Sequence, residues 1–161
     1  MTSDPTATKQ LVRRWVDELF NSGRLDVAAD VVAAHFTEHA LAPFGQVAPG
    51  EVDGPTHTTT TVAFLRAQFP DLQMTIEAIV AEADLASVRI VATGTNLGLL
   101  NGMLPPTGRA FRAEQCHWFR IADGRLAEHW AIRDDLTAML QLGAIARPSP
   151  AVAPAAAGPS T

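Results

Sequence analysis

The sequence predicts an α+β domain with helices first and an antiparallel sheet after them. Two observations carry this. Up to about residue 70, apolar residues recur at helical spacing; from 72 to 134 they alternate with period two. The links between the later segments are short and carry turn residues.

The elements follow in order. Asp4 and Pro5 supply a capping carboxylate and a proline suited to the first helical position. Leu11, Trp15, Val16 and Leu19 then form one apolar stripe, and "NSG" at 21–23 ends the helix. A second short helix is expected over 25–34, and 35–45 is read as partly irregular because Pro43 and Gly45 break helices. "GEVDGP", 50–55, reads as a loop, and a third helix is expected from about 58 to 68 despite its threonines. Strands are expected over 72–82, 84–98, 109–121 and 126–134, with "ADGR" as the last hairpin turn. "DLTAMLQLG", 135–143, closes the domain as a short helix ended by Gly143. One domain over 1–145 is expected, followed by a flexible Ala/Pro-rich tail over 146–161.

Composition narrows the function classes. The 161 residues carry a formal net charge of −5 and no dense basic run, which argues against nucleic acid and anionic membrane surfaces as partners. The single cysteine, Cys116, rules out an intrachain disulfide and a thiolate-cluster metal site. No apolar run approaches the roughly 20 residues of a membrane span, and the N-terminus has no apolar signal core, so a cytoplasmic location is expected. No dinucleotide, P-loop or serine-hydrolase signature is present.

Alternation places Phe111, Ala113, Gln115, His117 and Phe119 on one strand face, with Arg112, Glu114, Cys116, Trp118 and Arg120 on the other. A Gln/His pair on an apolar face needs partners, because burying polar groups unpaired is costly; it marks either a satisfied core pair or a pocket. On the next strand Ala127, His129, Ala131 and Arg133 share a face, unless a bulge shifts the register. Asp134 and Asp135 read as a helix cap, pocket acids or a surface pair, with Asp135 favoured as the cap. "HFTEH", 35–39, matches a short zinc-peptidase pattern, lacks an evident third ligand, and is read as a chance match. His39 is kept as an isolated pocket candidate, and no metal site is expected.

"FPDLQMTIEAIVAEADLASVRIVATGTNLG", "PPTGR", "HWFRIADGRLAEHW" and "RDDLTAMLQLG" resemble the SnoaL-like polyketide cyclases of the NTF2-like superfamily. With the early helices the resemblance covers about residues 6–143. It implies a cone-shaped barrel, a curved antiparallel sheet wrapped on helices around a ligand cavity, and a homodimer through sheet surfaces. It also implies closure of the last ring of an aromatic polyketide by intramolecular aldol condensation, without metal or cofactor. The family's cavity histidine and glutamine map onto His117 and Gln115, while the position of its proton-exchanging aspartate is Ala131.

Enolisation needs a base at the acidic carbon and a donor at the carbonyl oxygen, and alanine supplies neither. Three readings follow: His117 is the base; His129 or Asp134 replaces the aspartate; or the pocket binds a small molecule without turning it over. The expected catalytic set is His117, Gln115, His39, Asp134 and His129. The expected substrate wall is Trp15, Phe44, Phe64, Phe69 and Trp130, facing a hydrophobic, polyketide-like substrate. Isomerase or dehydratase chemistry stays open, although a steroid-isomerase-like site normally uses a tyrosine and the chain has none. An epoxide-hydrolase-like site would require Arg112 and Glu114 to face the cavity.

Overall fold

The computed structural model describes residues 4–41 and 48–146. Phe44 and the tail from residue 147 onward lie outside the described residues.

The first helix, α1, spans Pro5–Arg14, with the Asp4 carboxylate accepting from the Thr6 N–H. It continues as a π-helical segment, Trp15–Asn21, a wider coil often found at functional sites. This segment buries Trp15, Val16, Leu19 and Phe20. Asn21 joins its end to the sheet: its side chain accepts from the Met74 N–H at 2.7 Å and donates to the Met74 carbonyl at 2.9 Å.

The expected second helix is shorter than predicted. A 3-10 turn, Leu25–Val27, leads into α2, Ala28–Val31, and the chain then extends as strand β1, Val32–Glu38. The Ala/Val run favours a helix locally, but Val32, Phe36 and Glu38 are buried when it is extended against its neighbours, and tertiary pairing overrides propensity. The segment expected to be a loop at 50–55 supplies β2, Gly50–Asp53, which pairs antiparallel with β1. Helix α3, Gly54–Gln68, starts earlier than expected because Asp53 caps it through the Thr56 N–H at 3.0 Å and a proline follows at its first turn.

The later strands match the alternation: β3 Gln73–Glu82, β4 Leu85–Thr95, β5 Ala110–Ala122 and β6 Arg125–Arg133. Asp123 and Gly124 have φ of 48° and 72°, as a two-residue hairpin of matching twist requires. Helix α4 is Asp135–Leu142, ended by Gly143 at φ 75°.

The described residues form a six-stranded sheet in the order β2-β1-β6-β5-β4-β3. The sheet is curved, open and mixed, because β1 runs parallel to β6. This corrects the wholly antiparallel expectation and the closure implied by a barrel. Helical residues Leu11, Val12, Leu19 and Val62 pack with Val88, Ile90, Phe119 and Leu126 into one core. Among the described residues no helix is long and apolar enough to cross a membrane.

Candidate functional site

The inner face of β5 presents Phe111, Ala113, Gln115, His117, Phe119 and Ile121 in succession. On β6 a register shift near Ala127 lets Leu126 and His129 both be buried, so strict alternation fails at that point. Beyond the shift, His129, Ala131 and Arg133 stand opposite Phe119, His117 and Gln115.

Here a line of polar groups crosses the apolar interior. Gln115 Oε1 lies 3.0 Å from His117 Nε2, and His117 Nδ1 lies 2.8 Å from His129 Nε2. His129 Nδ1 meets both oxygens of Glu38, at 2.9 and 2.8 Å. Glu38 also accepts from the Ala40 N–H at 2.8 Å and lies 3.5 Å from His57 Nε2. His117, His129 and Glu38 are only 3%, 7% and 8% exposed, so these contacts replace water as their hydrogen-bond partners.

Electrostatics separates the roles. Burial pushes the Glu38 carboxyl toward a higher pKa, but hydrogen bonds with His129 and His57, the closeness of the His129 ring and the Ala40 N–H outweigh it and hold the pKa at about 2. Glu38 is therefore ionised at neutral pH. His117 falls well below the usual histidine value, first through burial, then through the electrostatic influence of the adjoining His129 ring and of the Arg133 guanidinium, with Glu38 opposing. It is a neutral imidazole at neutral pH.

Around this line lies a cavity of about 720 Å³. Trp15, Phe36, Phe69, Phe111 and Leu142 are among its walls, and Phe64, 44% exposed, is another. Trp15 packs its ring near His117, Phe119 and His129, with centroid separations of 5.4, 5.0 and 5.9 Å. Arg133 and Asp135 also line the cavity and pair with each other at 3.4 Å.

The structure brings together His117, Gln115 and His129, with Trp15, Phe64 and Phe69 around the same cavity. It does not bring in His39, Asp134 or Trp130. His39 is on the outside of this line: its Nε2 lies 2.9 Å from Glu128, and its ring stacks on Trp130 at 4.5 Å. Trp130 pairs across the strands with Trp118 and is half-buried on the outer sheet face, away from the cavity lining. Asp134 is exposed and caps α4 through the Thr137 N–H at 3.0 Å, the role expected of Asp135. Arg112 and Glu114 are exposed on the outer face, which removes the epoxide-hydrolase arrangement. The "HFTEH" segment lies largely in a strand, where His35 is exposed and Glu38 is buried, so it has no helical ligand face.

Glu38, His57 and Arg133 are the site residues that sequence reasoning missed. The available signal for Glu38 was its place two residues after Phe36, on the same side of an extended chain. His57 sits in the first turns of α3, with no pattern of its own to announce it.

Comparison with known proteins decides the family. The SnoaL-like polyketide cyclase model matches residues 10–142. The chain belongs to the SnoaL-like polyketide cyclase family. Within it, the chain is similar to aklanonic acid methyl ester cyclase DnrD of Streptomyces peucetius, at 34% identity over 83% of this chain and 88% of the relative. Nogalonic acid methyl ester cyclase of Streptomyces nogalater is 30% identical over 77% of this chain and 89% of its own. Among solved structures, IdmH of Streptomyces antibioticus superposes with a TM-score of 0.71 at 32% identity, covering 84% of this chain and 97% of that one. TsrD of Streptomyces laurentii gives 0.76 at 25% identity, covering 89% and 99%. The curved sheet over N-terminal helices is thus the NTF2-like arrangement shared with these SnoaL-like neighbours.

Proposed function

We propose that the protein closes a ring of an aromatic polyketide methyl ester by intramolecular aldol condensation, with His117 as the base. The observation that carries this reading is His117, a buried neutral imidazole beside the Gln115 amide in the cavity wall. In the reaction His117 Nε2 takes a proton from the carbon between carbonyl groups. The enolate carbon attacks the ring-closing carbonyl carbon, and the resulting alkoxide takes the proton back. No atoms are gained or lost, so the reaction needs no redox partner. The Gln115 amide and the Arg133 guanidinium, on facing positions of β5 and β6, are the donors for the oxygen where charge grows.

Carbon-rich walls with few polar groups suit a flat hydrophobic substrate, and the methyl ester class follows from the similarity to the two named cyclases. The test is turnover of aklanonic acid methyl ester by the purified protein, followed as a mass-neutral change of retention and absorbance. Loss of turnover in a folded His117→Ala variant is the expected result; full turnover in that variant removes the base assignment.

A second reading, binding without turnover, is favoured by one observation: Ala131 faces His117 across the strands where the resembled cyclases carry an aspartate. Tight binding of the same ester with no conversion selects it. A homodimer through the outer sheet face is part of the proposal. Val80 and Ile132 are exposed there, 64% and 70%, and Trp118 and Trp130 stand between them, which supports that face as the contact.

A further inference from the structure

His117 on its own is a poorly placed base. A proton on it would put a charge in an apolar interior, beside the guanidinium of Arg133, with nothing but Gln115 at its outer nitrogen. The contacts behind it change that. The Glu38 carboxylate accepts, so His129 Nδ1 carries a proton. If the ring bears only that proton, its lone pair is on Nε2, and the 2.8 Å contact then requires His117 to donate from Nδ1. This leaves the lone pair of His117 on Nε2, so in the resting state the Gln115 amide is turned to bring its nitrogen, rather than Oε1, against that atom; Oε1 at 3.0 Å is the orientation that suits a protonated Nε2.

Resting on the base assignment above, we propose that Glu38 and His129 form a charge relay behind His117. When His117 Nε2 takes the substrate proton, the His117 Nδ1 proton passes to His129 Nε2. The positive charge then sits on His129, in contact with the Glu38 carboxylate, rather than on His117. When the alkoxide forms, His117 Nε2 gives up its proton to it, His129 returns its proton to His117 Nδ1, and every group is restored. Gln115 follows this cycle with its amide. With Oε1 toward Nε2 it accepts from the protonated ring, and with its nitrogen turned inward it donates to the lone pair. His117 is the residue that touches substrate; His129 and Glu38 are positioning residues that act through it.

The surroundings fit this assignment. The charged or titratable groups around the relay are Glu38 from β1, His57 from α3, His129 and Arg133 from β6, and Asp135 from α4. Asp135 is occupied by Arg133, so Glu38 is the carboxylate that holds the relayed charge. The π-helical segment contributes the Trp15 ring, and the facing positions of β4 are Val88 and Ile90. Two further contacts, from Ala40 N–H and His57, fix the Glu38 carboxylate without involving His117.

The experiment measures kcat, KM and their pH dependence with aklanonic acid methyl ester for the wild type and for Glu38→Gln, His129→Gln and His117→Ala. Glutamine at 38 can still accept from His129 but carries no charge. Its expected effect is a loss of about 10²–10³ in kcat with KM nearly unchanged. The acid limb of its profile should move to lower pH, because the imidazolium has lost its counter-charge. A purely structural role for Glu38 does not move that limb. If His117→Ala is inactive while Glu38→Gln and His129→Gln keep wild-type kcat and an unmoved limb, the relay is wrong and the base assignment stands. If His117→Ala keeps full turnover, both are wrong. Nitrogen NMR of the wild-type rings gives an answer that does not depend on folding of the variants. His117 protonated at Nδ1, and a strongly deshielded His129 Nδ1 proton, are expected. A resting His117 protonated at Nε2 beside a neutral His129 overturns the relay.

Discussion

His129 Nδ1 lies 2.8 Å from Glu38 Oε2, although 91 residues separate them in the chain. The contact exists because β1 enters the sheet parallel to β6, pairing Glu38 with His129 in register. It ties the fold and the site together, since the ionised carboxylate is both a structural partner and the charge behind the cavity histidines.

Acid should therefore destabilise the protein through this contact. The Glu38 carboxyl has a folded pKa of about 2 against an ordinary value of 4.5, so the stability it contributes is fully present above pH 4.5 and is lost as pH falls toward 2. For this buried group the contribution is on the order of 3 kcal/mol. His117 adds a second loss at higher pH. Its folded pKa lies well below 6.5, so the unfolded chain binds that proton first and stability falls as pH drops below 6.5. Denaturant melts from pH 7 to 3 should show a decline that is shallower in Glu38→Gln in its lower part. An equal slope in wild type and variant would contradict the Glu38 contribution.

How much of this was legible in the sequence depended on distance along the chain. Strands β3 to β6 are joined by tight hairpins or one loop, and their period-two patterns are local, so Gln115 and His117 could be placed on one face in advance. The parallel pairing of β1 and β6 has no local signature, and its Ala/Val-rich start resembles a helix. Glu38 was therefore read inside a spurious metal motif, and His57 was not singled out. The register shift at Ala127 explains the other gap: alternation alone puts Leu126 and His129 on opposite faces, whereas both are buried. Asp134 and Asp135 were separable only by geometry, because either fits the start of a helix and only Asp134 reaches the Thr137 N–H.

The two tryptophans that sequence analysis placed together on the substrate wall should separate sharply. Trp15 is 5% exposed and touches His117, His129 and Phe119, so Trp15→Ala should cost about 3–5 kcal/mol and also weaken ester binding. Trp130 is half-buried on the outer face, stacked on His39. Trp130→Ala should cost roughly 1–2 kcal/mol, since only part of the ring is removed from water. It should leave turnover per folded molecule unchanged. A large fall in kcat for Trp130→Ala would place the ring in the site after all. Urea unfolding and initial rates on the same samples distinguish the two.

Gly54 marks a packing constraint where α3 crosses β1. A Cβ there would stand 2.1 Å from the Ala33 carbonyl oxygen and 2.7 Å from Val32 Cγ1. Backbone cannot yield as a flexible side chain can, so Gly54→Ala should push α3 off β1. The expected cost is about 3 kcal/mol or more, the upper range for overpacking. Because α3 carries His57 and Phe64 toward the cavity, ester affinity should fall with it. Unchanged melting temperature would show that the two elements are not in this contact.

Ala131 offers the most direct chemical test of how the site works. It lies opposite His117 on the neighbouring strand, half-buried, with its side chain on the inner face. An aspartate there would bring a carboxylate beside the imidazole from a new direction. In the wild-type background Ala131→Asp should raise the His117 pKa, because an adjacent negative charge favours the imidazolium. It should also cost stability near neutral pH, since a second carboxylate is desolvated close to Glu38. The informative protein is the double variant with Glu38→Gln. If His117 needs a nearby carboxylate to carry the proton's charge, Ala131→Asp should recover at least tenfold of the kcat that Glu38→Gln loses. The acid limb of the rate profile should move back up with it. No recovery in a double variant that folds and binds the ester would mean that the charge of Glu38 acts in some other way than through His117.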